Sequence, residues 1–189
     1  MTIHLPPMAA VRLAAPPAAL RPLRADDASA LHAAAQDPLI ARYTSVPWPF
    51  TFERAEELIA AAHADWAAGT AARFAITLDD ALVGTASLLH IYDETSDAEI
   101  GYWLGAAGRG RGIATAATRA LVEWAFGTLG FAQLHLLVDW DNAASIAVAH
   151  AAGFTDAGTR WWEHPTDPAK SEEIPLLVQD AAAWRSRVS

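Results

Sequence analysis

Residues 105–118 read GAAGRGRGIATAAT, with glycines at 105, 108, 110 and 112 and arginines at 109 and 111. The stretch follows AEIGYWL (residues 98–104), which has the aromatic and β-branched content of a strand. It leads into Ile113, Ala117, Leu121, Trp124 and Ala125, an apolar stripe at helical spacing. The glycines therefore sit where a strand turns into a helix N-terminus. There the first amides lack partners, and the macrodipole favours negative charge. Glycine lets an anion come within hydrogen-bonding distance of such amides. A plain tight turn needs fewer glycines.

Outward from this loop, the pattern predicts an α+β domain. Upstream, Leu20–Leu23 reads as a short strand, followed by a helix that Asp26 or Asp27 can cap. Prolines 38, 47 and 49 in DPLIARYTSVPWPF predict an aromatic loop without helix. Thr51 starts a second helix, which Gly69 closes. Strands over Arg73–Leu78, Ala81–Ile91 and Ala98–Leu104 form an antiparallel meander, with turns at Asp79-Asp80 and Asp93–Asp97. Downstream, the helix runs from Ile113 to about Leu129, with Arg119 and Glu123 as an exposed i,i+4 pair. A strand over Gln133–Val138 and a helix over Ala143–Ala152, capped by Asn142 and stopped by Gly153, come next. Phe154–Glu163 and Glu172–Val178 read as a closing hairpin around HPTDPAKS. The sheet is mostly antiparallel, with one strand–helix–strand crossover in the middle. Residues 1–19, broken by prolines, read as a loose leader to a single domain over 20–189.

Composition narrows the function. Hydrophobic residues make up 53% of the 189, which excludes intrinsic disorder. No uninterrupted apolar stretch reaches bilayer length, so no membrane partner is expected. The N-terminus lacks a secretory pattern, and the expectation is a cytoplasmic protein. A net charge of −9 argues against nucleic acid and weakly suits an amine-bearing partner. Cysteine is absent, which removes disulfides and thiol nucleophiles, and the histidines lack ligand spacing, so no metal is expected.

Of two other anion-binding readings of the loop, one fails and one fits less well. No Lys-Ser or Lys-Thr pair follows the glycines, so it is not a Walker loop. A dinucleotide fingerprint would use Gly110, Gly112 and Asp139, but Thr115 occupies the third small position. The fifty residues after Asp139 are also too few for the rest of a doubly wound sheet. Read from Arg109, RGRGIA resembles the Q/R-x-x-G-x-G/A loop of the GNAT superfamily of N-acetyltransferases. LRPLRADDA, AEIGYWLGAAGRGRGIATAA and DNAAS followed by GF, in that order from about Leu20, resemble its RimJ/RimL branch, which acetylates ribosomal-protein N-termini.

The resemblance implies a GNAT fold whose splayed strands bind acetyl-CoA, with its pyrophosphate on the amides of Gly110, Arg111, Gly112, Ile113 and Ala114, with Thr115 beside them. Arg109 and Arg111 either add charge or are solvated flanks. Backbone groups of Tyr102, Trp103 and Leu104 would pair with the pantetheine arm, and Asn142 would both cap its helix and contact pantetheine amides. Glu99 falls where many relatives carry a general base, with Asp139 a lesser candidate. The helix position at which many relatives carry a tyrosine is Ala149 here. Ser145 matches the serine of the ribosomal-protein branch and could protonate the leaving thiolate. Trp48, Phe50, His90 and Tyr92 would shape the acceptor site, or simply pack. Of Trp161 and Trp162, one should be buried and the other exposed or at a subunit contact, compatible with a homodimer. The expected function is acetyl transfer from acetyl-CoA to a primary amine, either a protein N-terminus or a small molecule. The alternatives are an acyl-CoA-binding module without turnover and, less well matched, a nicotinamide oxidoreductase.

Overall fold

The structure, a computed structural model, describes residues 3–92, 95–163, 169 and 171–188. Eight strands form one sheet in the order β1-β2-β3-β4-β5-β6-β8-β7. They are β1 (Leu13–Ala15), β2 (Ala18–Pro22), β3 (Ala72–Leu78), β4 (Ala81–Tyr92), β5 (Asp97–Leu104), β6 (Gln133–Leu137), β7 (Thr155–Trp162) and β8 (Glu172–Asp180). Every neighbouring pair is antiparallel except β5 and β6, which α4 (Ile113–Trp124) connects. The predicted mostly antiparallel sheet with one central crossover is therefore observed. Asp93 and Glu94, and all of HPTDPAKS except Ala169 and Ser171, lie outside the described residues.

Two apolar clusters cover the two faces. The first joins Leu20, Phe74, Leu88, Ala98, Ile100 and Leu134 of the sheet to Ile113, Leu121 and Trp124 of α4 and to Ala149 of α5 (Ala143–Ala152). The second packs Leu31 of α1 (Ala28–Ala34), Ile40 of α2 (Pro38–Tyr43) and Ile59 of α3 (Phe52–Ala68) against Ala75 and Trp103. Because side chains alternate along a strand, residues 98, 100, 102 and 104 of β5 face α4 and α5, while 99, 101 and 103 face α1–α3.

Several expectations change. Residues 1–19 are not loose as far as they are described. β1 pairs with β2, Ile3 and Val11 are buried, and Trp66 Nε1 donates to the Pro6 carbonyl at 2.9 Å. Pro38 does not break a helix but begins α2 at its first position, where proline's missing N–H costs nothing, with the Asp37 side chain accepting from Leu39 N. Asp27 stands at the N-cap position of α1, but its side chain makes no bond to the helix and instead accepts two 2.7 Å bonds from Arg21 and one from the Arg24 amide. Arg119 donates to the Ala151 carbonyl, tying α4 to the end of α5, rather than pairing with Glu123. The helix from Ile113 widens into a π-type turn over Ala125–Leu129 before Gly130, and a C-terminal helix, α6 (Ala181–Val188), follows β8. Among the described residues no helix is long and apolar enough to cross a membrane.

One aromatic group joins the layers. Trp66, near the end of α3, stacks on Trp124 of α4 at 5.9 Å, and both meet Phe74 of β3 edge-on at 5.4 Å. Removing so large a buried ring leaves a cavity its neighbours cannot close. Trp124→Ala is expected to lower the unfolding free energy by about 3–5 kcal/mol, measured by urea denaturation. A loss under about 1 kcal/mol would mean that α4 is held by its other contacts.

Candidate active site

The site begins where the sheet opens. β5 and β6 pair over only three positions, Asp97–Glu99 with Gln133–His135. Beyond them β5 stays on β4 through Leu104, while β6 stays on β8 through Leu137, so the two diverge. The wedge between them is a groove of about 470 Å³. One end meets the glycine loop and the start of α4, and Asn142, Ser145 and Val148 of the α5 segment line another wall.

The glycine loop is folded for close approach. Gly110 and Gly112 take φ of 69° and 71°, the left-handed region, and a Cβ at either would meet no protein atom within 4 Å. The first backbone bond of α4 runs from Ala116 N to Gly112 O. The amides of Ile113, Ala114 and Thr115 thus have no intrahelical acceptor, and no side chain caps this end among the described residues. Buried Ile113 anchors the turn. Free donors at a positive dipole end, beneath space cleared of side chains, fit a phosphate group.

Arg109 has another role than the sequence implied. Its Nε donates to the Leu104 carbonyl at 2.9 Å, and its Nη1 pairs with Asp37 at 2.6 Å. Arg42 of α2 pairs with Asp141 beyond β6. These two ion pairs tie α2 to the loop and to the turn before α5, so that Leu39, Ile40, Tyr43, Thr44 and Ser45 form a wall of the groove. The sequence reading missed this wall. The signal for it was Asp37-Pro38, a side-chain cap followed by proline at the first helical position.

Glu99 projects to the α1–α3 side and lines the groove. Burial raises its carboxyl above the usual carboxylate range, although the positive fields of His90 and Arg160 oppose this. Directly across the parallel pair stands His135, with Nε2 3.8 Å from Glu99 Oε2. Arg160 of β7 donates to that Nε2 at 3.0 Å, which leaves the imidazole proton on Nδ1, a buried atom with no partner among the described residues. Burial, reinforced by Arg160, lowers the His135 pKa to about 4, so the ring is neutral near pH 7.

On the opposite side, Asn142 Oδ1 accepts from Ser145 N at 3.1 Å and caps α5. The Ser145 hydroxyl lies 2.7 Å from the Tyr102 hydroxyl, so Tyr102 contributes its side chain as well as its backbone to the groove. Of the residues singled out in the sequence, Glu99, Tyr102, Trp103, Leu104, Arg109, Gly110, Gly112, Ile113, Ala114, Thr115, Asn142 and Ser145 meet here, and Trp162 joins them. Arg111 is exposed and does not line the groove, which agrees with a solvated flank. Phe50 is 3% exposed within the second apolar cluster, and Trp48 is 51% exposed; neither lines the groove, so packing accounts for the first. His90 is exposed, close enough to Glu99 to affect its charge but outside the groove lining. The Tyr92 side chain lies outside the described residues.

The splayed parallel pair thus borders a groove that ends on the free amides of a glycine-rich helix start, and known proteins share this arrangement of the chain. Residues 18–155 match the family model for the acetyltransferase (GNAT) domain. The chain belongs to the GNAT acetyltransferases. It is 30% identical over 142 residues to p20 of Bacillus licheniformis, an uncharacterized N-acetyltransferase, covering 74% of this chain and 79% of that protein. Among solved structures, RimL, a ribosomal L7/L12 alpha-N-protein acetyltransferase in complex with coenzyme A, shares the fold with a TM-score of 0.79 at 20% identity, over 92% of this chain and 99% of that one. RimJ of Mycobacterium smegmatis, in complex with a CoA disulfide, gives 0.75 at 22% identity over 90% and 88%.

His135 gives this site a pH signature in stability. Its folded pKa is about 4 against an ordinary 6.5, so between those values the unfolded chain binds a proton that the folded chain refuses. The contribution is present above pH 6.5 and is lost as pH falls toward 4, by roughly 3 kcal/mol in all. His135→Gln, which retains an acceptor for Arg160, is expected to flatten that decline in urea denaturation followed across the window. Equal declines in the two proteins would assign the titration elsewhere.

Proposed function

We propose that the chain transfers an acetyl group from acetyl-CoA to a primary amine. The observation that carries this reading is the placement of Glu99 and the Ser145 hydroxyl along one groove that ends on the uncapped amides of α4. Acetyl-CoA supplies the acetyl group as a thioester, already activated for attack. The amides from Gly110 to Thr115 hold its pyrophosphate, and the edge of β5 over Tyr102–Leu104 that β6 leaves uncovered, where Arg109 already holds the Leu104 carbonyl, offers backbone groups to its pantetheine amides. Arg109, engaged by Asp37 and Leu104, shapes the loop more than it supplies charge to the ligand.

Glu99 accepts a proton from the incoming amine, directly or through a water. Its raised pKa brings a carboxylate closer to the basicity that this step needs. Ser145, held at the start of α5 by the Asn142 cap, gives its hydroxyl proton to the departing sulfur. The RimL neighbour acts on the N-terminus of a ribosomal protein, and this supports a protein or peptide N-terminus as the acceptor here. The wall formed by α2, with Tyr43, Thr44 and Ser45, is where such an acceptor would be read.

Two experiments test the reading. Coenzyme A is expected to raise the melting temperature of the wild type, because a ligand that binds only the folded state stabilises it. Gly112→Val places a side chain in the cleared space at a positive φ, costing roughly 1–3 kcal/mol of stability, and should abolish that shift. A retained shift would move the pyrophosphate off the loop. In turnover assays, Glu99→Gln is expected to lower kcat by roughly a hundredfold or more with little change in coenzyme A affinity. Because the wild-type carboxyl must lose its proton to act, its rate rises with pH through the raised pKa, and the variant should lack that rise. Near-normal turnover would pass the base role to Asp139 or to solvent, and binding without any thiol release in the wild type would favour a non-catalytic binding module.

A further inference from the structure

We propose that Tyr102 is a positioning residue for the leaving-group step, holding the Ser145 hydroxyl toward the groove and replacing the proton it gives up. The inference rests on the acetyl-transfer reading above. Tyr102 and Ser145 are 43 positions apart in the chain, on β5 and α5, yet their hydroxyl oxygens lie 2.7 Å apart and both residues line the groove. Tyr102 belongs to the face of β5 that looks toward α5, so the contact follows from strand alternation and not from a flexible side chain reaching across. The serine end is fixed independently, because its amide is bonded to Asn142 Oδ1. Ala149, the next residue on that helix face, is buried and offers no polar atom.

The direction of the bond follows from acidity. Burial pushes the Tyr102 phenol up to about 12, so it keeps its proton throughout the physiological range and can act as the donor. With a lone pair of Ser145 Oγ occupied by the phenolic hydrogen, the serine's own hydrogen is left to point along the groove. Hydroxyls in series polarise one another, which makes the outer one a better donor than a serine alone. As the carbon–sulfur bond breaks and its electron pair moves to sulfur, Ser145 passes its proton to sulfur. Tyr102 passes the phenolic proton to Ser145 Oγ while water entering the groove supplies one to the phenolic oxygen in the same step, so that no buried phenolate is left. One proton is thus taken from solvent, matching the one that Glu99 removes from the amine.

Tyr102→Phe keeps the ring and removes only the hydroxyl. Thiol release by wild type, Tyr102→Phe, Ser145→Ala and the double variant is compared at saturating acetyl-CoA, with coenzyme A affinity measured separately. The expected result is a roughly tenfold lower kcat for Tyr102→Phe, the worth of one hydrogen bond to a group gaining charge, with coenzyme A affinity within about twofold of wild type. The double variant should be no slower than Ser145→Ala alone, because the tyrosine acts only through the serine. A purely structural tyrosine would instead lower affinity or melting temperature and multiply with the serine effect. Wild-type turnover by Tyr102→Phe, or a double variant slowed by the product of the single effects, overturns this proposal and leaves acetyl transfer standing. A wild type that binds coenzyme A but releases no thiol overturns the acetyl-transfer reading, and this one with it.

Discussion

Everything in the site depends on how early the β5–β6 pairing stops. A parallel pair that continued along β5 would close the sheet and satisfy the backbone edge from Ile100 onward. Instead, β6 is committed to β8, with Leu136 opposite Leu177 and Leu137 opposite Leu176, while β5 is committed to β4. The second commitment is reinforced where Gly84 faces Leu104. A Cβ there would stand 2.2 Å from the Trp103 carbonyl, so this approach is open only to glycine. Two strands, each held firmly by its outer neighbour, separate between themselves. The starts of α4 and α5 both border that separation.

The pleat then divides the chemistry. On one side of the groove stand Glu99 and, across the ladder, His135 with its Arg160 donor, a set governed by charge and by exclusion from water. On the other stand Tyr102 and Ser145, neutral hydroxyls joined to each other. The acetyl transfer proposed above needs a proton removed at one point and supplied at another. A strand whose successive residues face opposite ways would keep those two tasks apart without a second structural element.

What the sequence disclosed was mostly local. The glycine loop, the Thr51 cap of α3 and the Asn142 cap of α5 are each written within a few residues, and all three appear where the pattern put them. What it withheld depended on partners distant in the chain. The β1 segment LAA has no strand signal of its own and forms because β2 lies beside it. Pro38 was misread because a proline that starts a helix and one that ends it look alike until the cap is weighed. The Tyr102 side chain and the His135–Arg160 contact join elements far apart in sequence, which no periodicity reveals. Loop residues such as Trp48 and Phe50 could be assigned to a wall only by analogy, and the fold buries one and exposes the other.

The short β1 strand also bears on how the protein is handled. It lies at one end of the sheet, covering the outer side of β2 with only three residues. An outermost strand that brief offers little template for another chain, whereas β2 is longer and carries the fully buried Leu20. Trimming the N-terminal segment as dispensable would turn β2 into the rim of the sheet and expose its unpaired amides and carbonyls. A preparation shortened in this way would gain a route to self-association far from the groove, and a loss of protein from solution would then say nothing about the groove itself.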